Sequence, residues 1–313
     1  MATTDNVTSS DKTVPFGSNL RRFNFVADTS ASLGTYNFKV VVTDSASDSV
    51  NSSIVSVTVM PYNGTWPNAN NTGVPVGIVL VPSKPDLYLY GSDGLGPNYV
   101  VDSLFLYGSI YMSGDNNVTF QRFYIEDPTQ TGIEVQDSYD TRYIDCTMNG
   151  SSVGVSYGGT FFVNRCNMFN TETAAFMTNG SSVTNSYIHD LQYQSGFHNE
   201  DIFLAAGTGE IVRHNTLNNQ LDQTASIFGQ PYNGKENNVT VDDNLLNGGG
   251  YCIYGGAGGT IYNFTVTNNY FADTYWPSCG YYSYTAEFGT GAGADLVWSN
   301  DVVNKTGAPV PHP

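Results

Sequence analysis

Three of the four histidines in this 313-residue chain, His189, His198 and His214, fall in one 26-residue window. Asp190, Glu200, Asp201, Arg213, Asp222, Asp242 and Asp243 lie in the same stretch or just beyond it. Carboxylates and imidazoles gathered in this way suit proton transfer. Hydrolysis of a glycosidic bond commonly uses two carboxyl groups, one protonated and one ionised. Asp201 with Asp222, Glu200 or Asp243 could supply them. Elimination instead needs a base that takes a proton next to a carboxylate, helped by a cation. His198 or His214, assisted by Arg213, could serve there. A metal held by His198, Asp201 and His214 is a third option, but no compact ligand motif supports it, and no cofactor is expected. The plain alternative is that His214 and the Asp242–Asp243 pair are polar corner residues of a repeat.

That repeat must position them. The phrase Ile211-Val-Arg-His-Asn-Thr-Leu217 returns as Thr240-Val-Asp-Asp-Asn-Leu-Leu246 and Thr265-Val-Thr-Asn-Asn-Tyr-Phe271. Fainter copies begin at Arg142, Phe162 and Ser182, and a last one begins at Val297. A unit recurring at this spacing signals stacked supersecondary units. Within each copy, apolar residues alternate with polar ones around a small or amide residue. Two short extended runs joined by a tight corner would produce that pattern. The corner position holds Cys146, Cys166, Ser186, Asn215, Asn244, Asn269 and Asn300. Asn tolerates left-handed backbone and, stacked on itself, can form an amide ladder. A further apolar run follows each phrase, and no long 3.6-residue periodicity occurs. Two or three strands per roughly 21 residues predict a parallel β-helix. About nine rungs at ~4.8 Å each would make a rod of roughly 40 Å.

The expected organisation is an all-β chain in three parts. Residues 1–61 alternate over longer strands with hairpin cadence. Residues 62–98 serve as linker and N-terminal cap, and residues 99–313 form the coil and its C-terminal cap. Insertions tend to gather on one face of a solenoid, often the binding face. The longest here are Asp190–Glu200 and Asn218–Thr224. Tyr232, Tyr251, Tyr254, Tyr275 and Trp276 fall in this half of the chain. Flat aromatic faces with polar tips suit sugar rings, so these five are candidate substrate-binding residues, although about half of the local aromatics should be core or cap.

Composition narrows the partners. Charged residues make up 12% of the chain, and net charge is −17. An acidic surface argues against nucleic acid. No run of 18 apolar residues exists, so no membrane span is expected. The opening Met-Ala-Thr-Thr-Asp lacks the basic start and apolar core of a secretory signal. The expectation is a chain trimmed of its leader, or one that leaves its cell by another route, as virion proteins do. Cys146 and Cys166 share a repeat position and are expected as stacked inward thiols. Cys252 and Cys279 fall on successive rungs and are a candidate disulfide, which would imply an oxidising compartment. Asn-x-Ser/Thr triplets at Asn6, Asn51, Asn63, Asn70, Asn117, Asn149, Asn179, Asn238, Asn263 and Asn304 are candidate glycosylation acceptors, or a by-product of composition.

From Gly73 to Gly307 the chain resembles right-handed parallel β-helix proteins of the pectate-lyase-like superfamily, most of all a group in bacterial secretomes and phage minor tail proteins. The residues that carry the resemblance are Thr72-Gly-Val-Pro75, His198-Asn-Glu-Asp201, Ile211-Val-Arg-His-Asn-Thr216, Asn244-Leu-Leu-Asn-Gly-Gly-Gly-Tyr251, and Trp298-Ser-Asn300 before Thr306-Gly307. The related element tends to read His-Asn-Asp; here Glu200 intervenes, so Glu200 and Asp201 compete for the acidic role. The calcium-binding Asp set and the catalytic Arg of true pectate lyases have no clear counterpart. The resemblance implies fold more than activity, because this fold hosts lyases, hydrolases, adhesins and inert rods. The stretch Gly34-Thr-Tyr-Asn-Phe-Lys-Val-Val-Val-Thr-Asp44 resembles the closing strands of immunoglobulin-like surface modules. It covers about 60 residues where a full sandwich needs about 100. The first part is thus expected as a small, incomplete immunoglobulin-like sandwich that a partner strand could complete.

Two functional expectations follow. One is an extracellular, cell-surface or virion-borne protein that binds an acidic or neutral polysaccharide, either cleaving it as a lyase or glycoside hydrolase or only holding it in a groove. The other is a non-catalytic structural or adhesive surface protein, glycosylated and assembled into a filament or tail through its N-terminal module.

Overall fold

In a computed structural model the chain divides into two compact units, Met1–Thr65 and Trp66–Pro313. The structure describes residues 65–313, except 84–85, 91–98, 115–116, 128–131, 137, 156–158, 194–197, 232–233 and 289–294. Of the first unit it describes only the backbone of four strands. Gly34–Phe38 pairs antiparallel with Val55–Val59, and Val41–Thr43 with Ser49–Asn51. The rest of the expected immunoglobulin-like module lies outside the described residues.

The second unit is a parallel β-helix with three faces. Successive coils add strands to the faces in fixed order, and one coil meets the third face only through an isolated bridge at Val153. The first sheet has nine strands, from Val100–Asp102 to Leu296–Ser299. The second has ten, from Val81–Pro82 to Val302–Val303. The third face runs from Leu87–Tyr90 to Ser283–Ala286, with Val153 bridging its two stretches. Every pairing named in these sheets is parallel, as a solenoid requires. Residues 81–90, within the segment expected as linker and cap, supply two strands.

The apolar residues of the repeat stack in columns. Val163, Val183, Val212, Val241 and Val266 line the inside of the first sheet in register. Ile125, Met148, Met168, Ile188 and Leu217 do so in the second, and Ile133, Val153, Ala175, Ile202, Ile227 and Ile253 in the third. Each fully buried Val, Ile or Leu side chain contributes about 1.5–3 kcal/mol. The C-terminal segment folds back over the last rung, where Val310 is buried and accepts a hydrogen bond from the Trp298 indole.

The corner between the first and second sheets is built from two adjacent positions, not one. The first is left-handed in every copy: Asp145, Arg165, Asn185, His214, Asp243, Asn268 and Asn300 all have φ between 52° and 60°. The next points inward: Cys146, Cys166, Ser186, Asn215, Asn244, Asn269 and Asp301 are buried. Sequence reasoning merged the two and put Asn300 where Asp301 belongs. The ladder itself forms. The Asn215 amide donates to Asn244 Oδ1 at 3.0 Å, Asn244 to Asn269 Oδ1 at 3.0 Å, and Asn269 to Asp301 Oδ1 at 2.8 Å. Cys146 and Cys166 continue the column as free buried thiols.

Residues 66–80 run lengthwise along the outside of the coil. Trp66 stacks on His214 (5.5 Å between ring centres) and meets Tyr270 edge-on. Further on, Gly73 N–H donates to the Arg165 carbonyl, and Val74 N–H to Thr147 Oγ1. Val81 then joins Leu104 in the second sheet.

Candidate functional site

The coil sorts the sequence-selected residues onto different faces. His198, Glu200 and Asp201 lie at or before the start of the third-sheet strand Glu200–Thr208. Arg213, His214 and Asp243 lie at the corner between the first and second sheets, across the coil from the third face. The single cluster expected from sequence, including a metal set of His198, Asp201 and His214, is therefore not formed. Arg213 pairs with Asp242 at 3.0 Å, and His214 Nδ1 meets Asp243 Oδ2 at 3.0 Å beneath the Trp66 ring. These are the turn residues of a regular corner, held down by the lengthwise strap.

The third face has a different character. Its outward column Phe176, Phe203, Phe228 and Tyr254 is aromatic in four successive coils. Phe203 and Phe228 stack at 5.5 Å and, although outside the coil, are buried in a second apolar cluster with Ala205 and Ala225. The loops that enter this face are the long ones. They precede Glu200–Thr208, Ala225–Gly229 and Ser283–Ala286, so all three gather along one edge. The last contains Cys279, which is disulfide-bonded to Cys252 across a Cα–Cα distance of 6.0 Å.

Here lies a cavity of about 230 Å³, lined by His198, Thr224, Phe228, Gln230, Gly250, Tyr251, Tyr254, Ala257 and Tyr282. The His198 ring stacks on Phe228 at 5.3 Å and is 63% exposed. Its Nδ1 faces inward, 3.2 Å from Thr224 Oγ1 and 3.6 Å from Glu200 Oε1. The Glu200 side chain is only 3% exposed and accepts a hydrogen bond from the Thr173 hydroxyl at 2.6 Å. Burial pushes its carboxyl up to about 8. The Thr173 hydroxyl pulls the other way, and the negative Glu172 adds to the rise. Glu200 is thus a neutral acid through most of the physiological range. Behind it Asp201 is fully buried, and burial holds it well above the usual carboxylate range, with the Ser226 hydroxyl opposing. The buried Asp201 cannot touch a ligand, against the expectation that it would act directly.

Of the other sequence candidates, Tyr251 and Tyr254 line the cavity edge to face, 5.4 Å apart. Burial, then a hydrogen bond to Glu287, pushes the Tyr254 phenol up to about 12, so it remains protonated. Asp222 is exposed in the turn before Ala225, and its backbone carbonyl lies beside Gly250. Tyr275 and Trp276 stand outside the cavity: Tyr275 lies over Gly248, and Trp276 packs edge-on against Tyr281. Tyr232 lies outside the described residues. Thr224, Phe228, Gln230 and Tyr282 complete the lining without having been singled out as site residues. The signal available for Phe228 was its column, because an aromatic at the outward position of four consecutive rungs departs from the polar exterior of the repeat.

The triplet asparagines also find places. Asn70, Asn179, Asn238, Asn263 and Asn304 are exposed, and Asn117 and Asn149 are half-buried. In Asn117-Val-Thr119, Asn238-Val-Thr240 and Asn263-Phe-Thr265 the Asn is a left-handed corner, the apolar residue is buried, and the Thr is the first or second residue of a first-sheet strand. The coil accounts for these three triplets without any sugar. Asn6, Asn51 and Asn63 have no described side chains.

No protein-family model matches the chain, and no curated protein matches it. Two solved structures show similarity. The A-module of mannuronan C-5 epimerase AlgE6 of Azotobacter vinelandii is 12% identical, with 72% of this chain and 76% of that chain covered, at a TM-score of 0.23. The A-module of mannuronan C-5 epimerase AlgE4 of the same organism is 10% identical, with 72% and 78% covered, at 0.24. Scores this low carry neither the fold nor the chemistry of those proteins to this chain. The coil rests on its own strand pairing.

Proposed function

We propose that the second unit is a right-handed β-helix of the pectate-lyase-like kind, acting outside the cell or on a virion. On this reading it binds a polysaccharide on its third face and cleaves it with His198 as the proton-transfer group. The observation that carries this is a single arrangement: an exposed imidazole laid flat on Phe228, backed by a buried neutral carboxyl 3.6 Å behind its Nδ1, at the mouth of a tyrosine-lined cavity. An imidazole whose outer edge is open while its inner nitrogen is backed by polar groups is oriented for acid–base work. Glu200 and Thr224 act through His198 as positioning residues. The tyrosines offer flat apolar faces for sugar rings, with hydroxyls at their edges.

The test is incubation of the full chain with a polysaccharide panel, following both unsaturated products by ultraviolet absorbance and new reducing ends. His198→Ala should abolish product formation and leave the fold intact, because the ring is largely exposed. His214→Ala, at the opposite corner, should retain cleavage. Product formation from no glycan would end the catalytic reading. Equal activity of wild type and His198→Ala would show that the chemistry lies elsewhere. Binding without cleavage would leave an adhesive protein that uses the same face.

A further inference from the structure

The described cations of the second unit are sorted away from this cavity. Arg122 pairs with Asp102 through Nε at 2.9 Å, Arg142 with Asp140 at 3.2 Å, Arg165 with Asp145 at 2.7 Å and Arg213 with Asp242 at 3.0 Å. All four sit on the first sheet or its corner with the second. Lys305 reaches Asp273 at 3.7 Å, and Lys235 lies over the Tyr262 ring at 4.4 Å. Among the described residues, no Arg or Lys lines the cavity. Its surroundings are acidic instead. Glu172 stands close enough to act on Glu200, Glu287 bonds to Tyr254, and Asp222 is exposed in the turn beside Gly250.

Resting on the functional reading above, we infer that the glycan bound here is uncharged: a neutral polysaccharide whose rings stack on Tyr251, Tyr254 and Tyr282, not a polyuronate or a sulfated chain. A ligand carboxylate would enter a partly desolvated site with no cation to meet it and with acids on its flanks. One uncompensated like charge at about 6 Å weakens binding on the order of tenfold. A neutral ring loses nothing to these acids. Its hydroxyls find Gln230, Thr224 and His198, and its apolar face finds the phenol rings.

The experiment is calorimetric titration of the full chain with pentasaccharides of equal length. Cello-, manno-, xylo- and laminaripentaose are set against pentagalacturonate and pentamannuronate, each at low and at physiological ionic strength. At least one neutral pentasaccharide should bind, with an affinity that salt leaves unchanged. Tyr254→Ala and the more exposed Tyr282→Ala should each weaken it by about tenfold, and Tyr282→Ala should do so without lowering the melting temperature. The uronates should bind at least about tenfold more weakly, and what binding they show should strengthen as salt screens the repulsion. A uronate that binds more tightly than every neutral sugar overturns this inference and leaves the glycan-binding reading standing. Failure of every pentasaccharide to bind overturns both.

Discussion

Replacing Asn244 by alanine separates the two residues that make each corner. Asn244 is fully buried, with its amide donating to the Val212 carbonyl at 2.9 Å and to Asn269 Oδ1 at 3.0 Å. Its Oδ1 accepts the Asn215 backbone N–H and one Asn215 amide proton, both at 3.0 Å. Asn269 Oδ1 keeps the Asn244 backbone N–H whatever the side chain. Alanine therefore strands two donors on Asn215, while the Val212 carbonyl is left with its ladder bond alone. A buried polar group left without its partner costs about 1–3 kcal/mol. With some local relaxation, the expected loss is about 3–5 kcal/mol. In a unit of this size that lowers the melting temperature by about 10 °C. Asn268→Ala, at the outward corner position of the next coil, loses surface bonds to Asp242 and Asn300 and puts alanine at φ 59°, at a cost of about 1–2 kcal/mol. Guanidinium and thermal unfolding followed by circular dichroism would compare the two. If Asn244→Ala is no less stable than Asn268→Ala, the ladder contributes little and the corner is held by its turn geometry.

Stability should fall as pH rises. Glu200, free in the unfolded chain at 4.5, is pushed to about 8 by burial, and Glu236 to about 9 by burial and by its neighbour Glu210. A carboxyl raised on folding stabilises the fold fully below its unfolded value and loses that contribution as pH climbs to its folded one. For Glu200 the interval corresponds to about 5 kcal/mol at 1.36 kcal/mol per pH unit. Unfolding midpoints should therefore decline from about pH 5 to pH 9, and Glu200→Gln should flatten the curve; a midpoint that rises over this range would refute the assignment. In catalysis, Glu200→Gln should remove any change in rate centred near pH 8 and leave the neutral rate within a few-fold; an unchanged pH profile would sever Glu200 from His198. Reduction of Cys252–Cys279 should cost about 3–4 kcal/mol, given a loop of 27 residues. Alkylation of the native, unreduced protein should label none of the four cysteines, because Cys146 and Cys166 are buried thiols and Cys252 and Cys279 are bonded to each other; labelling of Cys146 or Cys166 would contradict the burial.

The coil was legible because its signal repeats. Columns of Val, Ile and Asn at constant spacing can be superposed from the sequence, and the structure stacks them in register. The division of the corner into an outward left-handed residue and an inward ladder residue was missed because Asn occupies both positions in Asn268-Asn269. The hydrogen bonds of the folded ladder show which is which in each of these copies. The site was half legible. His198 and Glu200 are two residues apart in sequence and stay close in space. His214 and Asp243 looked like neighbours of Asp201 because a rung is thin, but proximity along the axis says nothing about proximity around it. The strap that places Trp66 on His214 has no period and left no trace in the pattern. The three corner triplets at Asn117, Asn238 and Asn263 show the converse. There a motif with a biochemical meaning arises from the fold's own demand for a left-handed corner, a buried residue and a Thr at the strand.

The connections between strands explain why the third face carries the site. From the first to the second sheet the chain has two residues in which to turn, in coil after coil: His214-Asn215, Asp243-Asn244 and Asn268-Asn269. Each pair is fixed by one left-handed φ and one ladder amide, so an insertion there would break the column above and below it. From the second sheet to the third the same chain takes ten residues between His189 and Glu200, five between Asn219 and Ala225, and eleven between Phe271 and Ser283. No continuous ladder crosses that corner, and extra residues there cost only loop entropy, which grows slowly with length. Variation that could build a binding site was thus free to accumulate along one edge of the third face. The aromatic column of Phe203, Phe228 and Tyr254 that these loops meet is the part of the exterior that departs from the repeat's polar surface.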